Sequence, residues 1–166
     1  MPEQWPHIRA LYERAGFAHT EIVYLARVDE LPRAAMPPIA GLSVRWSVGT
    51  NGTRLSGVLN DDVIGYIEVE TLDEGERLSR HGGWADIGNL RVTRQYRRQG
   101  VATWLLGQAA DWLQLAQVDR LLDYAWLEGR DPMGCDYADY RAFLPAAGFR
   151  ELTRYQLGWS RAVHRC

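Results

Sequence analysis

The sequence predicts a mixed α+β fold built on a central mixed sheet, and three patterns carry that prediction. Residues 84–92 read as a strand, residues from about 99 to 116 as an amphipathic helix, and residues 120–126 (R-L-L-D-Y-A-W) as a short buried strand. Strand, helix and strand in that order make a βαβ unit, whose strands run parallel with a right-handed crossover. Residues 53–60 and 63–72 read as a hairpin around Asn60-Asp61-Asp62, which adds antiparallel neighbours. A chain of 166 residues is the size of one domain and can bury a real core.

The elements follow in order. Residues 6–16 place Ile8, Leu11, Tyr12 and Ala15 at helical spacing, and Gly16 is a natural helix terminus. Residues 20–28 (T-E-I-V-Y-L-A-R-V) are β-branched and aromatic, as a strand requires. Pro32, Pro37 and Pro38 make residues 31–39 an extended linker. Residues 41–48 alternate as Leu42, Val44, Trp46 and Val48, the pattern of a half-buried strand. Residues 73–83 form a charged, glycine-bearing loop. The helix of the βαβ unit carries Val101, Leu105, Ala109, Trp112, Leu113 and Ala116 on one core-facing stripe. Residues 127–134 are a loop with Gly129 and Pro132. A helix over 136–147 contains Pro145 and stops at Gly148, and a last strand covers 149–159.

Composition narrows the class. The formal charge of −2 advertises no basic surface for nucleic acid. No apolar run reaches the length of a membrane span, and the first residues have no signal-peptide character, so the expected location is cytoplasmic. Cys135 and Cys166 show no metal-ligand spacing and are not expected to form a structural disulfide. His7, His19, His81 and His164 are scattered, with no metal spacing and no nucleophile pairing. All nineteen basic side chains are arginine, which genomic base composition explains. The seven tryptophans read as packing residues, with Trp84 and Trp126 at strand ends placed to line a pocket.

The most informative stretch is W-A-D-I-G-N-L-R-V-T-R-Q-Y-R-R-Q-G-V-A-T-W-L-L, residues 84–106. A strand, an arginine-rich turn with one glycine and then a helix gather free backbone N–H groups at the positive end of a helix dipole. Such a point suits an anionic phosphate. Amides from Gln99 through Gly100, Val101 and Ala102 to Thr103 can cradle a pyrophosphate, Gly100 permits close approach, and Arg97 or Arg98 can add charge-assisted bonds.

Arg97-Arg98-Gln99-Gly100-Val101-Ala102 matches Arg/Gln-x-x-Gly-x-Gly/Ala and resembles the acyl-CoA-binding motif of the GNAT superfamily of N-acetyltransferases. The resemblance implies a GNAT-like sheet with a βαβ acyl-CoA-binding core, and acetyl-CoA as the donor. It also implies that the backbone of Leu90, Arg91 and Val92 pairs with the pantetheine arm. Histone-acetylating members of the family carry a glutamate at the offset of Asp86, which makes Asp86 the candidate general base. Burial would raise its pKa into a useful range. A solvated strand-end aspartate is the competing reading, and Glu68 and Glu70 are the other candidate bases. The family's acid tyrosine, four residues before the Gly of Gly-Phe, is here Leu144, which donates no proton. Tyr137 and Tyr140 lie earlier on that helix; Tyr140 is the substitute acid if the helix is shifted, and otherwise an ordinary amphipathic tyrosine.

An internal echo remains. R-A-L-Y-E-R-A-G-F at 9–17 and R-A-F-L-P-A-A-G-F at 141–149 share Arg, Ala, Ala, Gly and Phe at equal offsets, each before a strand. Both resemble the closing helix-to-strand element of a GNAT domain. The resemblance implies residues 1–36 as the tail of a second such domain with its linker, and 37–166 as a shortened acetyltransferase domain. Chance punctuation is the other reading. The 20–28 strand would be an aggregation hazard if unpaired, so a homodimer formed by swapping or edge pairing is expected to cover it. The two acceptor helices that GNAT domains place between their first strands are missing from residues 41–72. Two functions follow. One is acetyl-CoA-dependent transfer to a primary amine of a small molecule or peptide, by direct attack in a ternary complex. The other is a non-catalytic acyl-CoA-binding sensor or dimerisation module.

Overall fold

The computed structural model describes residues 6–18, 21–50, 52–71, 83–126, 137–155 and 160–161. Residues 73–82 of the loop expected over 73–83, the loop expected over 127–134, both cysteines, and His19, His81, His164 and Trp159 lie outside them. The chain forms two compact units, one of residues 26–123 and one of residues 1–25 with 124–166.

The unit of residues 26–123 is the sheet-and-helix core. Its strands are β3 (Ser43–Gly49), β4 (Gly52–Leu59), β5 (Asp62–Thr71), β6 (Trp84–Val92) and the first half of β7 (Arg120–Trp126). The unit's helix is α2 (Val101–Leu115), preceded by a 3-10 turn at Arg94–Tyr96. Neighbours from β3 to β6 are antiparallel, and β6 runs parallel to β7, as the βαβ pattern requires. The β4–β5 turn closes at Leu59↔Asp62 with Asn60 at φ 50° and Asp61 at φ 68°. Two consecutive positive φ values define a type I′ hairpin, and Asn and Asp tolerate that region best.

Burial of α2 goes beyond the expected stripe. Val101, Leu105, Ala109 and Leu113 are buried as predicted, but Trp112 is only half-buried and Ala116 is exposed. Trp104, Leu106, Gly107 and Ala110 are buried in addition. The reason is a second wall. The proline segment at 31–38 lies along the helix, where Gln108 Nε2 donates to Ala34 O (3.3 Å) and Arg33 Nη2 to Gln114 Oε1 (3.0 Å). A Cβ on Gly107 would stand 2.6 Å from both Pro32 O and Ala34 N, so only glycine lets the segment approach this closely. The linker is therefore a packed part of this unit. The alternation in β3 is also misleading: Leu42 is buried, but Trp46 is 45 % and Val48 94 % exposed.

The second unit holds α1 (Pro6–Arg14), β1 (Phe17–Ala18), β2 (Glu21–Arg27, through Leu25), α3 (Tyr137–Ala146), β8 (Arg150–Tyr155) and β9 (Ser160–Arg161). The two echoed segments share a local conformation. Each helix ends at a left-handed glycine, Gly16 at φ 79° and Gly148 at φ 94°, followed by Phe17 or Phe149 and a strand. After α3 the Phe149 N–H donates back to Leu144 O at 3.0 Å, the long bond of a Schellman-type ending. β2 pairs antiparallel with β8 from Glu21↔Tyr155 to Leu25↔Arg150, and Ile22, Val23, Tyr24 and Leu25 are all buried. The hazard that motivated a dimer at this strand is thus met within one chain.

Candidate functional site

The site is built on β6 and the turn that follows it, all inside the unit of residues 26–123. Thr93 N–H donates to Ile64 O at 2.8 Å, which makes that pair hydrogen-bonded across β5 and β6. Antiparallel pairs alternate between bonded and non-bonded types. In the register Gly65↔Val92, Tyr66↔Arg91 and Ile67↔Leu90, Arg91 therefore directs its backbone N–H and C=O to Tyr66. Leu90 and Val92 turn theirs away from β5. That is the side on which β7 pairs with β6, through Trp84↔Arg120, Ala85↔Leu121 and Asp86↔Leu122. The register slips between Glu68 and Val69, leaving Gly88 as the extra residue of a β-bulge next to Asn89. A glycine inside a strand pattern was the sequence signal for this bulge.

The turn is shaped by two left-handed residues, Arg98 at φ 61° and Gly100 at φ 82°, with Gly100 as the N-cap of α2. Trp104 N–H is the first to bond back into the helix, to Gly100 O at 2.9 Å. The amides of Val101, Ala102 and Thr103 are thereby left to the helix N-terminus as donors without an intrahelical partner. Gly100 is needed twice over, because a Cβ there would also press on Pro38 Cβ at 3.2 Å. Arg97 Nε donates to Val92 O at 2.9 Å and ties the turn to the end of β6. Gln99 Nε2 donates to Gln95 O at 2.8 Å, stiffening the turn from within. Arg98, Gln99 and Gly100 are exposed, while the Val101 side chain is buried and anchors the helix start.

The carboxylates divide sharply. Asp86 sits directly opposite Glu70 on β5 and is half-buried. Burial, and then the charge of Glu70, push its pKa above the ordinary carboxylate value. Glu68 is fully buried, yet its pKa falls. Burial is the largest influence and acts upward, but bonds from Arg54 and the Thr50 N–H, the Arg54 charge and Asn89 together outweigh it. Arg54 Nε donates to Glu68 Oε1 at 2.7 Å and Thr50 N–H at 3.0 Å, and the Arg54 guanidinium lies over the Tyr66 ring at 4.3 Å. A side chain on Gly49 would collide with Glu68 Oε1, so the β3–β4 turn is shaped around this ion pair. Glu68 is stabilised as an anion by its structural partners, whereas the surroundings of Asp86 favour its protonated form.

Glu68→Gln is expected to destabilise the chain by about 1.5–3 kcal/mol at neutral pH, the scale of buried hydrogen bonds to a charged group. The folded pKa is depressed, so this stability exists above the unfolded carboxylate pKa and is lost as pH falls through the folded one. Urea unfolding at several pH values should show the difference from the unaltered chain closing in acid.

Tyr140 belongs to the other unit, where its ring stacks on Phe143 at a centroid distance of 6.3 Å. Leu144 is fully buried in α3. Among the described residues no group of His, Cys, Asp and Glu is arranged to hold a metal, and no helix is long and apolar enough to cross a membrane. The described residues from 43 to 71 are strands and turns, with no helix between the first strands of the sheet.

The sequence model of the acetyltransferase (GNAT) family matches residues 21–129, a span that holds the whole β6–turn–α2 arrangement. The chain belongs to the GNAT acetyltransferase family. Solved structures agree on the fold. A GCN5-related N-acetyltransferase from Sphaerobacter thermophilus superposes with a TM-score of 0.65 at 16% identity, covering 93% of this chain and 56% of that one. A tandem GNAT protein from the clavulanic acid biosynthesis pathway, solved without acetyl-CoA, gives 0.62 at 15% identity, with 93% and 57% covered. The GCN5-related N-acetyltransferase from Kribbella flavida gives 0.60 at 11% identity, with 89% and 61% covered. This GNAT chain thus spans less than two thirds of the length of each of these structures. No curated protein matches it.

Proposed function

We propose that this GNAT-family chain transfers an acetyl group from acetyl-CoA to a primary amine by direct attack in a ternary complex. The observation that carries the reading is one continuous binding line. Leu90 turns its backbone groups, and Val92 its N–H, off the β5 ladder, and the strand then runs into the N-terminus of α2 capped by left-handed Gly100. An extended amide-bearing arm such as pantetheine adds to such a strand by main-chain bonding. The donors from Gly100 to Thr103 suit its pyrophosphate. Arg91 contributes through its side chain only, since its backbone is spent on Tyr66.

Amine attack on a thioester needs the amine deprotonated and the oxyanion stabilised. Asp86, with its raised pKa and no cation among the groups that shift it, is assigned as the base. A thiolate leaves without a dedicated acid, so the reaction does not depend on Tyr140. The reading is tested by calorimetry with CoA and by thiol release against a panel of small primary amines and peptides. CoA binding with turnover of at least one amine is the expected result. No CoA binding by folded protein would overturn the reading, and binding without turnover of any amine would leave only the acyl-CoA site standing.

A further inference from the structure

Among the described residues, β3 is an edge strand of its sheet. Among the described residues it pairs only with β4, in the register Val44↔Gly57, Trp46↔Leu55 and Val48↔Thr53. The alternation set by the Thr93–Ile64 bond extends across the sheet. Ile67 turns its backbone groups from Leu90 toward Leu55; Leu55 is then spent on Ile67 and turns away from Trp46. Trp46, and with it Val44 and Val48, therefore presents N–H and C=O outward at the edge. The side chains of these three residues share the α2 face, where the Trp46 ring lies 5.8 Å from Trp112. Val48 is 94 % exposed, and Leu115 on α2 is 85 % exposed. The strand contains no lysine or proline, the residues that usually blunt an edge, and its one charge, Arg45, is on the opposite face.

We infer that this edge joins two copies of the chain by antiparallel β3–β3 pairing about a twofold axis at Trp46. The sequence S-V-R-W-S-V-G is self-complementary in that register. Val44 meets Val48 of the other copy, Trp46 meets Trp46, and each such pair exchanges two backbone hydrogen bonds, because all three positions face outward. The apolar row then continues across the axis. Arg45 falls opposite Ser47. Centring the pairing on Arg45 instead would set like charges face to face, which is unfavourable. A slip of one residue would oppose outward groups to inward ones and send the apolar row to alternate faces. The interface is isologous and closes at two copies.

Sedimentation velocity over two decades of concentration tests this. The full chain should pass from monomer to dimer, and Val48→Lys should remain monomeric with unchanged melting temperature and CoA affinity. In a background with Cys135 and Cys166 replaced by serine, Trp46→Cys should form an oxidised covalent dimer. The facing Cα atoms of a hydrogen-bonded pair lie about 5.5 Å apart, within disulfide reach. Arg45→Cys should not, since its own counterpart is a diagonal neighbour beyond about 7 Å. A chain that stays monomeric throughout, or a dimer that Val48→Lys leaves intact and Trp46→Cys fails to cross-link, would overturn the inference.

Discussion

Gly100→Val is expected to abolish CoA binding in a chain that still folds. Gly100 caps α2 at φ 82°, where an L-residue costs roughly 1–2 kcal/mol and a β-branched one more. The added Cβ also meets Pro38 Cβ at 3.2 Å, with valine methyls beyond it. The turn relieves both conflicts by rotating toward negative φ, which takes the Val101–Thr103 donors off a common focus. Hydrogen bonds to a charged acceptor contribute about 1.5–3 kcal/mol each, so losing even one lowers affinity at least about tenfold, and losing the set removes binding. Gly100 is exposed at the surface, and the buried side chains of α2 are untouched, so the fold survives. Calorimetric titration with CoA, with circular dichroism to confirm folding, decides the matter. Unchanged affinity in the folded variant would remove the pyrophosphate from this turn.

Asp86→Asn is expected to lower kcat by about 10²–10⁴-fold with CoA affinity intact, the usual range for losing a general base. The same substitution separates catalysis from structure through its sign on stability. The folded pKa of Asp86 is raised by burial and by Glu70, so the proton is held more tightly in the folded chain than in the unfolded one. Its favourable contribution is present below the unfolded carboxylate pKa and is lost as pH rises through the folded value. At neutral pH the ionised aspartate is therefore a liability, and asparagine should leave the chain equally or more stable. Activity should rise with pH through the folded pKa in the unaltered protein, and that limb should vanish in the variant. Normal turnover with an unchanged pH profile would return Asp86 to a structural role. Glu70, on the opposing strand, would then be the carboxylate to test, since Glu68 is held as an anion by Arg54 and the Thr50 amide.

Most of what is local was legible in the chain. The βαβ order, the Asn60-Asp61 hairpin, the two Gly-Phe helix endings and the glycine at the start of α2 depend on backbone preferences that a few neighbouring residues express. Their boundaries came within a few residues, and the family motif lies within the matched span. What only the tertiary structure decided involves residues far apart in sequence. Whether the backbone of Leu90, Arg91 or Val92 faces β5 is a matter of register, and a shift of one residue reverses it. Of three carboxylates that look alike in sequence, Glu68 is enclosed by a turn eighteen residues away, Glu70 is exposed, and Asp86 is half-buried opposite it. The proline segment reads as a tether because its composition excludes helix and ladder, yet Gly107 gives it a groove to lie in. Likewise β2 and β3 both read as strands with an apolar face. Pairing with β8 buries the one, and the place at the sheet edge exposes the other. Local preference is written residue by residue. Burial, register and charge environment belong to whichever distant segment arrives, and no single stretch of sequence carries them.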